Sequence, residues 1–120
     1  MAIPSQEKYN QENQDRRFLI VLNKFKDQIS RGTVHIMRVT SDNAVSEFPD
    51  NFFDFVYIDG DHSYDQVRKD LRNYYTKVKP GGFFCGDDYH FEGVRQAVDE
   101  FAKEKQISFT IKDRQFITIK

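Results

Sequence analysis

The stretch FVYIDGDHSYDQV, Phe55–Val67, runs from apolar chain into Asp59, Gly60, Asp61 and His62, and then opens a helix at Ser63. The longer segment FFDFVYI, Phe52–Ile58, is apolar on both faces apart from Asp54, a pattern that suits a central parallel strand. Ser63 with Gln66 has the spacing of a capping box. The reading is therefore strand, acidic turn, helix, and it sets the architecture on both sides.

Downstream, Val67, Leu71, Tyr74 or Tyr75, and Val78 form the inner stripe of that helix, and Pro80-Gly81 ends it. GFFCG then reads as a second buried strand, closing in Gly86-Asp87-Asp88-Tyr89-His90. Val94, Ala97, Val98, Phe101 and Ala102 recur at helical spacing. ISFTI and QFITI flank Lys112-Asp113-Arg114 as an antiparallel hairpin whose turn type stays open, because neither Asn-Gly nor Asp-Gly marks it.

Upstream, TVHIMRV supplies a short strand, Val34–Val39, and SDNAVSEF a helical turn or two capped by Ser41 or Asp42. Phe18, Leu22, Phe25 and Ile29 stripe a first helix that Asp15 can cap and Gly32 can end. Residues 1–14 read as a polar arm, and 15–120 as a single α/β domain with helices on both faces of its sheet.

At 120 residues the chain holds one core. A net charge of −1 gives no reason to expect a nucleic-acid partner. No apolar run reaches membrane length, and the N-terminal stretch lacks a signal-peptide core, so no membrane partner is expected. A single cysteine, Cys85, excludes an internal disulfide and fits a reducing, cytoplasmic setting; within its apolar strand it reads as core.

Ligands of open α/β sheets bind outside the carboxyl ends of the strands, and here two such ends are acidic. If the strands are neighbours, about 4.8 Å apart, Asp59 converges with Asp87 and Asp88. Carboxylates so placed repel unless one takes up a proton or a cation neutralises them, and a hard cation such as Mg²⁺ does the latter. Singly, these acids are ordinary loop residues, and Asp61 or Asp65 can simply cap the next helix. Two glycine-flanked acid clusters on consecutive strand ends favour a site. His62 stands beside it, either as a general base or as a helix-start hydrogen-bonding group; His90 follows the second acid pair. Tyr89 lines a pocket or belongs to an exposed loop.

FDFVYIDGDHSYDQVRKDL, KVKPGGFFCGDDY and GVRQAVDEF, in this order, resemble the C-terminal half of a class I S-adenosylmethionine-dependent methyltransferase. The resemblance is to small-molecule O-methyltransferases related to macrolide- and aminocoumarin-sugar and cephalosporin-biosynthesis enzymes. It implies a Rossmann-like sheet, mostly parallel, closing in an antiparallel hairpin. It implies Asp59 as metal ligand and possible base near the transferred methyl, Asp87 and Asp88 as the acidic metal pair, and Ser41-Asp42 near the adenine. His62 stays a candidate base. The cofactors implied are S-adenosylmethionine and a divalent cation such as Mg²⁺, and the partner is a small-molecule hydroxyl acceptor.

The family's glycine-rich turn is absent from these residues, so the chain reads as a truncated methyltransferase without its first βαβ unit and with an incomplete cofactor site. Two other readings are weighed: a non-catalytic oligomeric remnant, and a Mg²⁺-dependent phosphatase of the haloacid-dehalogenase type, whose Asp-x-Asp strand end Asp59-Gly60-Asp61 mimics. In the full fold the strand ending at Asp59 pairs with the first strand. Without that partner its edge is open, and either the Val34–Val39 strand or a second chain covers it. A two-fold homodimer is the expected outcome of light scattering at micromolar concentration; a stable monomer would count against it.

Overall fold

The computed structural model describes residues 11–120, in two compact units, one ending at Val39 and the other running from Thr40 to Lys120. In the first, α1 (Gln11–Lys24) and α2 (Lys26–Ser30) are separated by a break at Phe25, whose φ of −106° and ψ of 20° leave the helical region. Phe18, Leu22, Phe25 and Ile29 are the half-buried side of both pieces, as their spacing indicates. Gly32 has φ 77°, the left-handed conformation that a helix-ending glycine supplies without strain.

Two expectations for this unit need correction. Asp15 does not cap the helix; Gln11–Gln14 are already helical, and the Asp15 carboxylate accepts hydrogen bonds from Gln11 Nε2 (2.8 Å) and from Arg38. Residues 1–10 of the expected arm lie outside the described residues. Val34–Val39 form no strand. A strand exists only as a ladder with a neighbour, and among the described residues no segment offers this one a ladder.

The second unit contains α3 (Ser41–Ala44), a 3₁₀ turn (Val45–Glu47), β1 (Phe53–Ile58), α4 (Tyr64–Tyr75), β2 (Val78–Gly86), α5 (Glu92–Lys105), β3 (Thr110–Lys112) and β4 (Gln115–Ile119). The sheet order is β1-β2-β4-β3, with β1 and β2 parallel and β4 antiparallel to both its neighbours. The mixed α/β class and the closing hairpin follow the sequence pattern. The hairpin turn carries Asp113 at φ 56°, a conformation that Asp tolerates better than most residues. β1, read from its apolar faces as central, pairs on one side only among the described residues, with β2.

α4 stops at Tyr75, two residues before β2 begins, rather than at Pro80-Gly81. The carbonyl of Lys77 accepts from the amides of Phe52 and Phe53, both at 2.8 Å, which draws the chain out of the helix and into the sheet. Val78 is therefore a strand residue. Gly81, at φ 85°, sits where the β1–β2 register shifts between Phe53 and Phe55, so the Pro80-Gly81 pair forms a strand irregularity instead of a helix stop.

The core lies between β2, β4, α4 and α5. Phe84, Phe116, Leu71 and Val78 are wholly withdrawn from water, joined by Val67, Val94, Val98 and Phe101. Side chains alternate along a strand, so Phe83 points away from Phe84. On that opposite face Phe55, Phe83 and Ile119 form one cross-strand row and remain 56%, 46% and 64% exposed. The two faces should respond unequally to truncation. Phe84→Ala is expected to cost about 3–5 kcal/mol in urea denaturation, and Phe55→Ser to stay within about 1 kcal/mol. Equal losses would contradict the one-sided core.

Candidate active site

The last β1–β2 ladder pair is Ile58 with Gly86. A Cβ on Gly86 would lie 2.3 Å from the Phe116 ring and 2.6 Å from the Ile58 carbonyl, so only glycine fits between them. The contact continues one residue further, with the Asp87 amide donating to Ile58 O at 3.0 Å. Asp59 and Asp87 thus leave adjacent strands side by side, as neighbouring strand ends require. Asp88 follows at φ 67°, and its amide donates to Asp87 Oδ1 at 2.7 Å. Asp59, His62, Asp87 and Asp88 line one small depression.

This gathering of acids has an electrostatic cost. The Asp59 carboxyl is pushed above its ordinary value, first by partial withdrawal from water and then by the negative charges of Asp87 and Asp88. The phenol of Tyr57 is raised as well, first by burial, with Asp87 and Asp59 adding to it while the Gln115 hydrogen bond (3.1 Å) opposes it. Among the described residues, no group of three or more His, Cys, Asp or Glu side chains is disposed as a metal cage. His62 is open to solvent and stacks on Phe91, with ring centroids 4.3 Å apart and planes within 5°. His90 packs on the same Phe91 ring at 4.4 Å. Cys85 is buried, and burial raises its thiol, consistent with a core role.

Beside the depression is a cleft of about 520 Å³. Ser41, Asp42, Gln66, Asp70 and Tyr74 form one wall, Val56 and Ile58 are apolar lining, and Asp59 lies at the junction with the acid cluster. The local capping is not what the sequence suggests. Thr40 caps α3, its Oγ1 accepting from the Asn43 amide at 3.2 Å, so neither Ser41 nor Asp42 is spent on this task. Ser63 makes no side-chain cap; its amide donates to Asp61 Oδ1 at 2.8 Å, which makes Asp61 a residue of local structure. Gln66 turns away from the expected capping box and donates to Asp42 Oδ1 (3.1 Å) and Asp70 Oδ1 (3.0 Å).

Gln66, Asp70 and Tyr74 escaped the sequence reading as wall residues. Their signal was present: they recur every four residues, so they share one side of α4 next to the apolar stripe of Val67 and Leu71.

Residues 4–89, more than half of the chain, match the sequence model of the methyltransferase domain, and the chain belongs to that family. Over 58 residues it is 41% identical to an uncharacterised protein of Acanthamoeba polyphaga mimivirus, covering 46% of this chain and 26% of that one. The structure of the O-methyltransferase NovP superposes with a TM-score of 0.56 and 26% identity, covering 67% of this chain and 34% of NovP. The chain therefore spans about a quarter of the viral relative and a third of NovP.

A carboxyl whose pKa is raised by folding stabilises the fold only below its unfolded pKa, and that contribution is lost as the pH rises through the folded value. Asp59→Asn is accordingly expected to raise the unfolding midpoint at pH 7 in metal-free buffer. The gain should vanish below about pH 4, where the unfolded carboxyl is itself protonated. A midpoint at pH 7 that does not rise would remove the charge-crowding account.

Proposed function

We propose that this domain acts in transfer of the methyl group of S-adenosylmethionine to a hydroxyl of a small molecule, assisted by a divalent cation such as Mg²⁺. The observation that carries the reading is the position of Asp59, which lines both the cleft and the acid depression. A cofactor in the cleft and an acceptor at the acids would meet there.

The cleft fits the nucleoside part of the cofactor in size and in kind, with apolar lining and hydrogen-bonding groups at Ser41 and Asp42. These 120 residues contain no glycine-rich turn for the methionine part, and we take this cleft as one portion of the cofactor site. What supports a hard cation here is that partial withdrawal from water and then the neighbouring acids destabilise the charge on Asp59, and that oxygen donors suit such an ion. Asp59, Asp87 and Asp88 would hold it. When bound, it would lower the pKa of an acceptor hydroxyl. His62, fixed against Phe91 and open to solvent, would take the hydroxyl proton as the acceptor oxygen bonds to the methyl carbon and the electron pair of the breaking bond returns to sulfur. The contribution of the chain itself is alignment and electrostatics.

Calorimetric titration with S-adenosylmethionine, with and without Mg²⁺, tests this. The expected result is binding of the cofactor, together with a Mg²⁺-induced rise in unfolding temperature that Asp87→Asn abolishes. Absence of cofactor binding under both conditions would sink the proposal.

A further inference from the structure

The side of the sheet opposite the core takes no part in the chemistry proposed above. In ladder register it is built in rows. Phe55, Phe83 and Ile119 form one row, and Tyr57, Cys85 and Ile117 the next. The rings of Phe55 and Tyr57 stack across the two rows, with centroids 6.4 Å apart and planes within 8°. Beyond them the three strands run on into polar residues, Asp59, Asp87 and Gln115, and Gln115 Nε2 donates to the Tyr57 hydroxyl at 3.1 Å. The apolar patch therefore has a polar border at the acidic end of the sheet.

The size of this patch is informative. Cys85 is covered, but Phe55, Phe83, Ile119 and Tyr57 stand 38–64% exposed. At roughly 200 Å² for each such side chain, they leave about 400 Å² of apolar surface in water. An apolar patch of that extent marks an interaction surface. A standard interface covers about 800 Å² on each partner, a little over half of it apolar, so the patch supplies nearly all the apolar area that one requires. The patch itself carries no charged residue, which leaves nothing to select a partner of opposite charge. A sheet face packs well on a second face of the same twist and alternation, about 10 Å away, and another copy of this chain presents both. The charges around the patch decide the orientation. Strands set parallel would bring Asp59 and Asp87 against their own copies. Strands set antiparallel carry these acids toward the other end of the partner's strands, where Lys79 pairs with Asp54 at 3.2 Å.

We propose that two copies of this chain associate face to face through Phe55, Tyr57, Phe83 and Ile119, their strands antiparallel about a two-fold axis along the Phe55–Phe83–Ile119 row. Such a contact is isologous, so each residue on the axis meets its own copy. It uses the face of the sheet and leaves the edge of β1 free, unlike the edge pairing expected from the sequence. It stands independently of the cofactor reading.

Sedimentation equilibrium of the full chain tests this. The expected result is a dimer with a dissociation constant in the micromolar range; at lower concentration the single copy prevails. Phe83→Lys sets two like charges together on the axis and should weaken association by about thirtyfold or more, with unchanged circular dichroism. Ile111→Lys removes an exposed apolar residue that shares the core side with Phe116, and should change association by less than about threefold. Cross-linking gives a measure that does not depend on disrupting the interface. A bis-maleimide of about 10 Å should join two copies of Phe83→Cys. It should join neither the native chain, whose Cys85 is buried, nor Lys69→Cys on the exposed side of α4. A native chain that stays monomeric at tens of micromolar, a dimer that survives Phe83→Lys, or a Phe83→Cys chain that does not cross-link would each overturn the proposal.

Discussion

The approach of β1 to β2 at Gly86 is the constraint on which the remainder of the structure depends. Gly86 is held between the Ile58 carbonyl and the Phe116 ring with no space for a side chain. Phe116, on β4, is at the same time one of the wholly buried residues of the core. One contact therefore joins three strands, closes the core beneath the strand ends, and delivers Asp59 and Asp87 next to each other. The site has no scaffold separate from the fold; its geometry is the end of the sheet's own ladder.

That arrangement sets a stability cost against a chemical gain. Partial withdrawal from water, and then the neighbouring acids, raise the carboxyl of Asp59, and perturbed groups of this kind gather where chemistry is done. The offset comes from packing. Phe84 and Phe101 meet Tyr75 edge-on at 5.3 Å, and Phe109 meets Phe116 in the same manner at 5.5 Å. Lys120 closes the far end of the core, donating to the carbonyls of Tyr75 and Val78 while lying over the Tyr75 ring. Aromatic burial of this density can carry a strained charge cluster at the sheet's opposite end.

α4 is the element that links the two. Val67 and Leu71 lie in the core, while Gln66, Asp70 and Tyr74 lie along the cleft. A helix anchored by its apolar side carries its polar side rigidly with it, so the cleft wall inherits the order of the core. The short α3, which buries nothing, has its place decided by α4 rather than by its own composition.

Much of this was legible in the residues themselves. The stripe of Val94, Ala97, Val98 and Phe101 is buried as its period demands, and QFITI pairs as a strand, while of the alternating Ile107, Phe109 and Ile111 only Ile111 enters the hairpin ladder. Acids at two consecutive strand ends marked the place where a ligand site should lie. These signals are local: spacing of three and four on a helix, or of two on a strand, dictates which side meets the core whatever the remainder of the chain does. The tertiary structure alone decided the non-local matters. Among the described residues it left Val34–Val39 without a ladder and put β1 at an edge; it also carried β2 back through Pro80 to Val78, and turned Gln66 from its own helix start to Asp42 and Asp70. An edge, a register shift and a cross-element hydrogen bond each depend on what lies opposite in space, and no local period records that.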